Sequence, residues 1–304
     1  MAALMGSMVG TGTAAADLLA GRPPSLRVTL GSGFWVFAGS TLVLISQAAL
    51  HLGRSARIAA VLVLGVGLVI LAGTGLFDGA SLAVEYRART DQLHTAVGRH
   101  LWLSLTALGL SFLVTAPLAW LGFRSRKAEA AIGGVMSAVQ VIPAIALFAL
   151  LVPLLSLLLN AAPILRAAGL QAIGPTPAVI GIAAYLALPL LRALVASLRA
   201  ADPATVEAAR AMGMGEARLT WDVRVPLGLP ILSAGLRIAA VQSIGLTALA
   251  ALIGAGGLGA VIFEGMAQFA SDLILLGALP VIGLALLADA LLRGMEIVVS
   301  RSGR

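Results

Sequence analysis

Seven stretches of this chain, Gly33–Leu50, Ile58–Leu76, Leu101–Phe123, about Ala130–Leu158, about Ala178–Leu198, Ile231–Ile253 and Leu273–Val299, are long, apolar and nearly free of charge. A helix crosses a hydrocarbon core of about 30 Å with about 20 residues, and each of these runs is of that order. A membrane barrel would instead need strands of about ten residues that alternate apolar and polar side chains. No such alternation occurs here. The expected fold class is therefore all-α, a polytopic helical membrane protein with about seven transmembrane helices. Only 11% of the residues are charged, against about 25% in soluble domains, which excludes an ordinary water-soluble protein. An apolar content of 60% also excludes a solvated random coil. With no cysteine in the chain, disulfides, thiolate metal sites and cysteine nucleophiles are excluded.

The runs divide the chain. The first two spans form an antiparallel accessory pair, residues 33–76, joined by a short HLGRSAR loop. Residues 77–100 carry mixed charge and read as an amphipathic or solvated outer linker. The remaining five spans, within residues 101–300, form a core interrupted by a charged loop at 199–230. Residues 1–32 are apolar yet rich in Gly and Thr, and contain Asp17. They are placed on the outer side, with a further span and a start inside a longer reading frame both open. They lack the basic segment and leucine-rich core of a cleavable signal peptide.

Net charge is +7, and all basic residues except Lys127 are arginines. In a soluble protein such a surplus would point to nucleic acid, whereas in a membrane protein it marks a face. One side collects eleven basic residues, Arg54, Arg57, Arg124, Arg126, Lys127, Arg199, Arg210, Arg218, Arg224, Arg301 and Arg304. The other collects six, Arg22, Arg27, Arg87, Arg89, Arg99 and Arg166. Basic loops stay in the cytoplasm, so the N-terminus is expected outside, the C-terminus inside, and the 199–230 loop becomes the largest cytoplasmic feature.

That loop reads DPATVEAARAMGMGEARLTWDVRVPLGLP. Asp202 and Pro203 suit the start of a helix, expected to run over Thr205–Leu219. Ala208, Ala209 and Gly213 would give it a small-residue face for close seating in a cleft, with Glu207 and Arg210 at the rim. Pro226 and Pro230 would then redirect the chain into the membrane. Glu207-Ala208-Ala209, Gly213 four residues on, and Val223-x-Val225-Pro226 resemble the EAA signature of ABC importer permeases, with Val at both positions where the family pattern has Ile and Leu. The resemblance implies a five-helix permease core and a coupling helix docked on a cytoplasmic ABC ATPase dimer. It also implies a second permease subunit, identical or similar, and an extracytoplasmic solute-binding protein. ATP and Mg would be used by the partner. A P-loop needs Gly-Lys followed by Ser or Thr, and Lys127 follows Arg126. This chain is therefore expected to hold no nucleotide, no cofactor and no catalytic residue.

The resemblance covers roughly residues 95–300. VIPAIALFALLVPLL, PAVIGIAAYLALPLLRALVASL and LAALIGAGGLGAVIFEGM are similar to permeases of the glycine betaine, choline and osmoprotectant branch. GSGFWVF and VEYRARTDQL look like the longer members of that branch, which carry extra N-terminal helices. The expected function is a permease subunit of an ATP-driven importer for a small compatible solute, in a bacterial or archaeal cytoplasmic membrane. Rivals are an amino-acid importer of the same kind, and a secondary transporter or channel that needs no ATPase.

Within the core, Gly254, Gly256, Gly257 and Gly259 allow positive φ and close backbone approach, as a re-entrant turn or outer gate would need. The segment is expected to face outside with no basic residue nearby, so it implies no phosphate cradle. Gln140, Tyr185, Gln242, Ser243 and Thr247 are the polar candidates for a solute path; Ser243 and Thr247 share one helical face, which Gln242 borders. Interhelical hydrogen bonding is the duller alternative for each. Asp289 and Arg293 have the spacing of a helical ion pair, while Arg192 and Arg237 are expected to snorkel to the inner interface. His51, His94 and His100 lack metal-ligand spacing and are expected in loops or at interfaces.

Overall fold

A computed structural model describes residues 2–21, 28–51, 53, 74, 78 and 80–302. The expected second span, Ile58–Leu76, lies outside the described residues except for Thr74, as do Arg22, Arg27, Arg54 and Arg57. The chain divides into two compact units, Met1–Thr90 with Ala270–Leu276, and Asp91–Phe269 with Gly277–Arg304.

The first unit contains α1 (Ala2–Leu19), α2 (Ser32–Leu50) and α3 (Ser81–Ala88). α2 coincides with the first expected span. The stretch expected as a linker is largely helical. Ser81 N donates to the Val28 carbonyl at 3.0 Å beside a one-residue bridge from Val28 to Ala80, which anchors the start of α3. Ion pairs between Arg87 and Asp78, and between Arg89 and Glu85 at 3.1 Å, neutralise the mixed charges that suggested a solvated segment.

The core begins with α4 (Thr90–Arg124) and continues through α5 (Arg126–Val141), α6 (Ala144–Ala161), α7 (Pro163–Ala167) and α8 (Pro175–Leu198). Then come α9 (Pro203–Ala211), α10 (Glu216–Leu219), α11 (Val225–Leu249), α12 (Leu258–Ala267) and α13 (Ser271–Ser302). Among the described residues five helical stretches are long and apolar enough to cross a membrane: Thr90–Arg124, Ala144–Ala161, Pro175–Leu198, Glu216–Ile253 and Ser271–Glu296. The fourth expected span is not one helix. Pro143 has no N–H and disfavours the α conformation at the residue before it, and Ile142 sits at φ −72°, ψ 127°, ending α5. Only the part after the break qualifies as a span.

α8 is the hub. The apolar window of Pro175–Leu198 is 72% buried, against 17% for Ala144–Ala161 and for Ser271–Glu296, because α4, α5, α6 and α11 pack around it. Ile182, Leu186 and Leu190 meet Leu103 of α4, Phe148 of α6 and Ala239 of α11 in one cluster. Apolar burial alone gives helices no reason to associate in lipid, and close van der Waals approach through small residues supplies it. A Cβ at Gly235 would fall on the Ala193 side chain, and one at Gly228 on the Ser197 carbonyl. α8 and α11 are therefore antiparallel and pressed together along a glycine seam.

Candidate coupling and translocation sites

The charged loop folds differently from its expected single helix. α9 stops at Ala211, and Gly213 at φ +82° reverses the chain, a conformation glycine adopts at little cost. Glu216 then opens a second helix. No turn occurs at the prolines: helix runs from Glu216 to Ile253 through a π-helical turn at Thr220–Arg224, which leads directly into α11. Pro226 supplies no N–H to its own ladder, and the Val225 amide reaches back to the Thr220 carbonyl, the longer step of a π turn. The redirecting element is the Gly213 turn.

Glu216 braces this turn. It accepts from Arg210 at 2.6 Å on one side and from Arg224 at 3.1 Å on the other. Arg224 is buried and stacks on the Phe123 ring with its guanidinium carbon 4.9 Å from the centroid. Arg199 donates to Glu129 at 2.8 Å and to the Gly122 carbonyl at 2.9 Å. These contacts gather Arg199, Arg210 and Arg224 at the same end of the core as the α4–α5 corner, which carries Arg124 and Arg126. The small-residue face is split: Ala209 is buried in the chain's own fold, whereas Glu207, Ala208, Met212 and Gly213 are exposed. Val223 and Val225 are half-buried, and Pro226 is exposed.

At the other end, Gly254, Gly256 and Gly257 have φ of 77°, 79° and 80°. A Cβ at Gly259 would fall on the Ala248 carbonyl, so the loop is pinned where it enters α12. A basic residue does lie here, contrary to expectation: Arg99 Nε donates to the Ala255 carbonyl at 3.1 Å. His100 is no interfacial residue either. It is completely buried, with Nε2 3.0 Å from the Ile244 carbonyl and its ring against Gly257. A carbonyl can only accept, so Nε2 carries the proton. Both contacts come from residues far away in the chain, which no local pattern reveals.

The polar candidates fall into two groups. Ser243 Oγ donates to the Ser104 carbonyl at 2.8 Å, Ser104 Oγ to Thr247 at 2.9 Å and Thr247 to the Ser243 carbonyl at 2.8 Å, all buried between α4 and α11. Tyr185 donates its hydroxyl to the Ile142 carbonyl, which the α5–α6 break leaves without its helical donor, and Gln140 donates to the Tyr185 carbonyl at 2.9 Å. Gln242 lines a cavity of about 370 Å³, together with Arg237 and Asp289. Arg237 does not snorkel; it binds Asp289 at 2.8 Å, and Asp289 also pairs with Arg293 at 3.0 Å as expected. Interhelical hydrogen bonds in membranes contribute about 1–2 kcal/mol at most. Ser243→Ala with Thr247→Ala is therefore expected to destabilise the solubilised protein by about that amount and to leave its transport KM within about twofold. A shifted KM at unchanged Tm would return both residues to the solute path.

A bundle of apolar helices with a charged helical turn braced at one end and a glycine loop held at the other defines a multi-pass membrane protein of the permease class. The chain belongs to the family of binding-protein-dependent transport system inner membrane components, whose model matches residues 95–296. Residues 1–83 match the N-terminal domain of the ABC transporter permease YehY. The chain is 35% identical over 206 residues to the osmoprotectant import permease protein OsmW of Salmonella typhimurium, covering 67% of this chain and 90% of that one. It is 36% identical to the carnitine transport permease protein OpuCB of Listeria monocytogenes, covering 65% and 84%. With the choline transport system permease protein OpuBB of Bacillus subtilis it shares 31% identity, covering 67% and 87%. The fold matches an inward-facing MetNI methionine ABC transporter at TM-score 0.56 and 19% identity, covering 68% of this chain and 97% of that one.

Proposed function

We propose that this chain is the membrane-spanning subunit of an ATP-driven importer for a small quaternary-ammonium solute of the betaine, carnitine and choline kind. One observation carries the reading: relatives named for osmoprotectant, carnitine and choline transport share 31–36% identity across the whole core. Residues 101–300 form the transport core and residues 33–76 an accessory segment joined through 77–100; the separate family matches over 95–296 and 1–83 support that division. The charged end faces the cytoplasm, which places the N-terminus outside and the C-terminus inside. The gathering of Arg199, Arg210 and Arg224 beside Arg124 and Arg126 supports this orientation.

At that end α9 and the turn after it present Glu207, Ala208 and Met212 to a cytoplasmic ABC ATPase dimer, which binds ATP and Mg. Arg210 and Ala209 hold the docking turn from within the chain, while Val223, Val225 and Pro226 join it to the spanning helix. A second permease subunit, identical or similar, completes the membrane unit. An extracytoplasmic binding protein delivers solute to the end that carries the Gly254–Gly259 gate. Gln242, facing the cavity, is the best-supported path residue; Gln140, Tyr185, Ser243 and Thr247 hold helices together.

Proteoliposomes that contain the chain, its ATPase and its binding protein test this reading. Labelled glycine betaine, carnitine or choline should accumulate only with internal ATP and external binding protein. Uptake by the chain alone would make it a secondary transporter or channel, and uptake of methionine in place of all three solutes would make it an amino-acid importer.

A further inference from the structure

We propose that Arg237 and Asp289 form an intramembrane site for the two ends of a zwitterionic solute, the guanidinium receiving its carboxylate and Asp289 its quaternary ammonium. The inference rests on the solute class proposed above and assigns the residues that sort its members.

Both residues lie in apolar spanning helices, Glu216–Ile253 and Ser271–Glu296. Ionisable groups are expensive in such helices and mark solute or ion paths. Arg237 lies about 9 Å of helix past the start of the apolar run at Ile231 and about 24 Å from its other end at Ile253. Arg237 Nη1 donates to Asp289 Oδ1 at 2.8 Å, and Arg293 Nη2 to Asp289 Oδ2 at 3.0 Å. Glu296 pairs with Arg237 Nε at 3.6 Å, too far for a hydrogen bond, so this buried Nε has no hydrogen-bond partner. The guanidinium therefore has donor capacity to spare.

Two arginines and two carboxylates sum to zero charge. Such a cluster admits a net-neutral zwitterion without leaving a charge unbalanced. As the solute carboxylate takes over donors of Arg237, Asp289 keeps Arg293 and turns a free lone pair to the ammonium. The space is present. A cavity of about 370 Å³ opens beside the pair, lined by Arg237, Ile238, Val241, Gln242 and Asp289, within the range of roughly 300–1,000 Å³ usual for small-molecule pockets. Ile238 and Val241 suit the methyl groups of a quaternary ammonium, and Gln242 adds an amide donor. No aromatic ring lines the cavity, so the cation meets a carboxylate and not the aromatic cage of a high-affinity receptor. That suits a site a solute must leave again.

Glycine betaine carries a carboxylate and choline does not, so the two solutes separate the roles of the two residues. In proteoliposomes holding the complete complex, Arg237→Gln is expected to raise the transport KM for glycine betaine on the order of tenfold while changing that for choline less than about twofold, since one charge-assisted hydrogen bond is removed. Asp289→Asn should impair both solutes. The double variant Arg237→Gln with Asp289→Asn, which leaves no unpaired half of the bridge, should remain impaired for betaine. Equal losses for both solutes in Arg237→Gln, unchanged kinetics, or recovery in the double variant would show a purely structural salt bridge and overturn the site. Wild-type vesicles that accumulate neither solute would overturn the parent reading and this site with it.

Discussion

Gly235→Leu is expected to prevent stable assembly of the permease, and Ala193→Gly in the same chain to restore much of it. Even a single Cβ at Gly235 would fall on the Ala193 side chain, and Ala193 belongs to the most buried of the spanning helices. Overpacking a filled core costs about 1–3 kcal/mol and occasionally more. A leucine on the tightest helix pair belongs at or beyond the upper end of that range. Thermal unfolding of the solubilised protein and its amount in membranes both read the effect. Gly245→Leu is the matched control, since nothing lies within 4 Å of a Cβ there, and it should behave as wild type. A wild-type Tm for Gly235→Leu would mean that the two helices do not approach as described.

Gly213→Val should leave folding and insertion intact and yet reduce both ATPase association and solute uptake by at least about tenfold. Open space surrounds Gly213, so a side chain meets no obstacle within the chain. Its φ of +82° is the obstacle. A left-handed conformation costs a non-glycine residue roughly 1–2 kcal/mol, and a β-branched one is a true outlier there. The turn would open, Arg210 and Glu216 would separate, and α9 would leave its place. Asparagine tolerates this region far better, so Gly213→Asn should retain most of the uptake that valine loses. Equal loss in both variants would place the importance of Gly213 in the surface it leaves clear, not in its backbone angle.

The spans of the core were legible in the sequence because each needs only a local property, a run of apolar residues of bilayer length. The charged turn was legible as a position but not as a shape. Its helix-forming residues continue on either side of Gly213, and only the left-handed angle at that glycine divides them. The break at Ile142–Pro143 had a local signal in the proline, outweighed in the reading by the apolar run around it. Other features had no local signal. His100 looked like one more interfacial histidine until antiparallel packing brought the Ile244 carbonyl to it. Arg237 looked able to reach the membrane surface because its partner lies 52 residues further on. Ser104 and Ser111 were passed over for the same reason, since what they bind depends on which helices become neighbours, whereas Glu216 binds arginines six and eight residues away and is set between them by the turn at Gly213.

The unbroken helix from Glu216 to Ile253 is about 57 Å long at 1.5 Å per residue. One end begins at the charged turn and the other enters the glycine loop. Gly235, at one of the two closest approaches of this helix to α8, lies about 28 Å from the first end and about 27 Å from the second. The helix is thus a beam held near its middle, along the seam from Gly228 to Gly235. A tilt of about 5° about that contact moves each tip roughly 2.5 Å, in opposite directions, over arms set by the helical rise. A push at the charged turn that rocked the helix about this seam would reach the glycine loop as a displacement of opposite sense, with no relay of side chains between them.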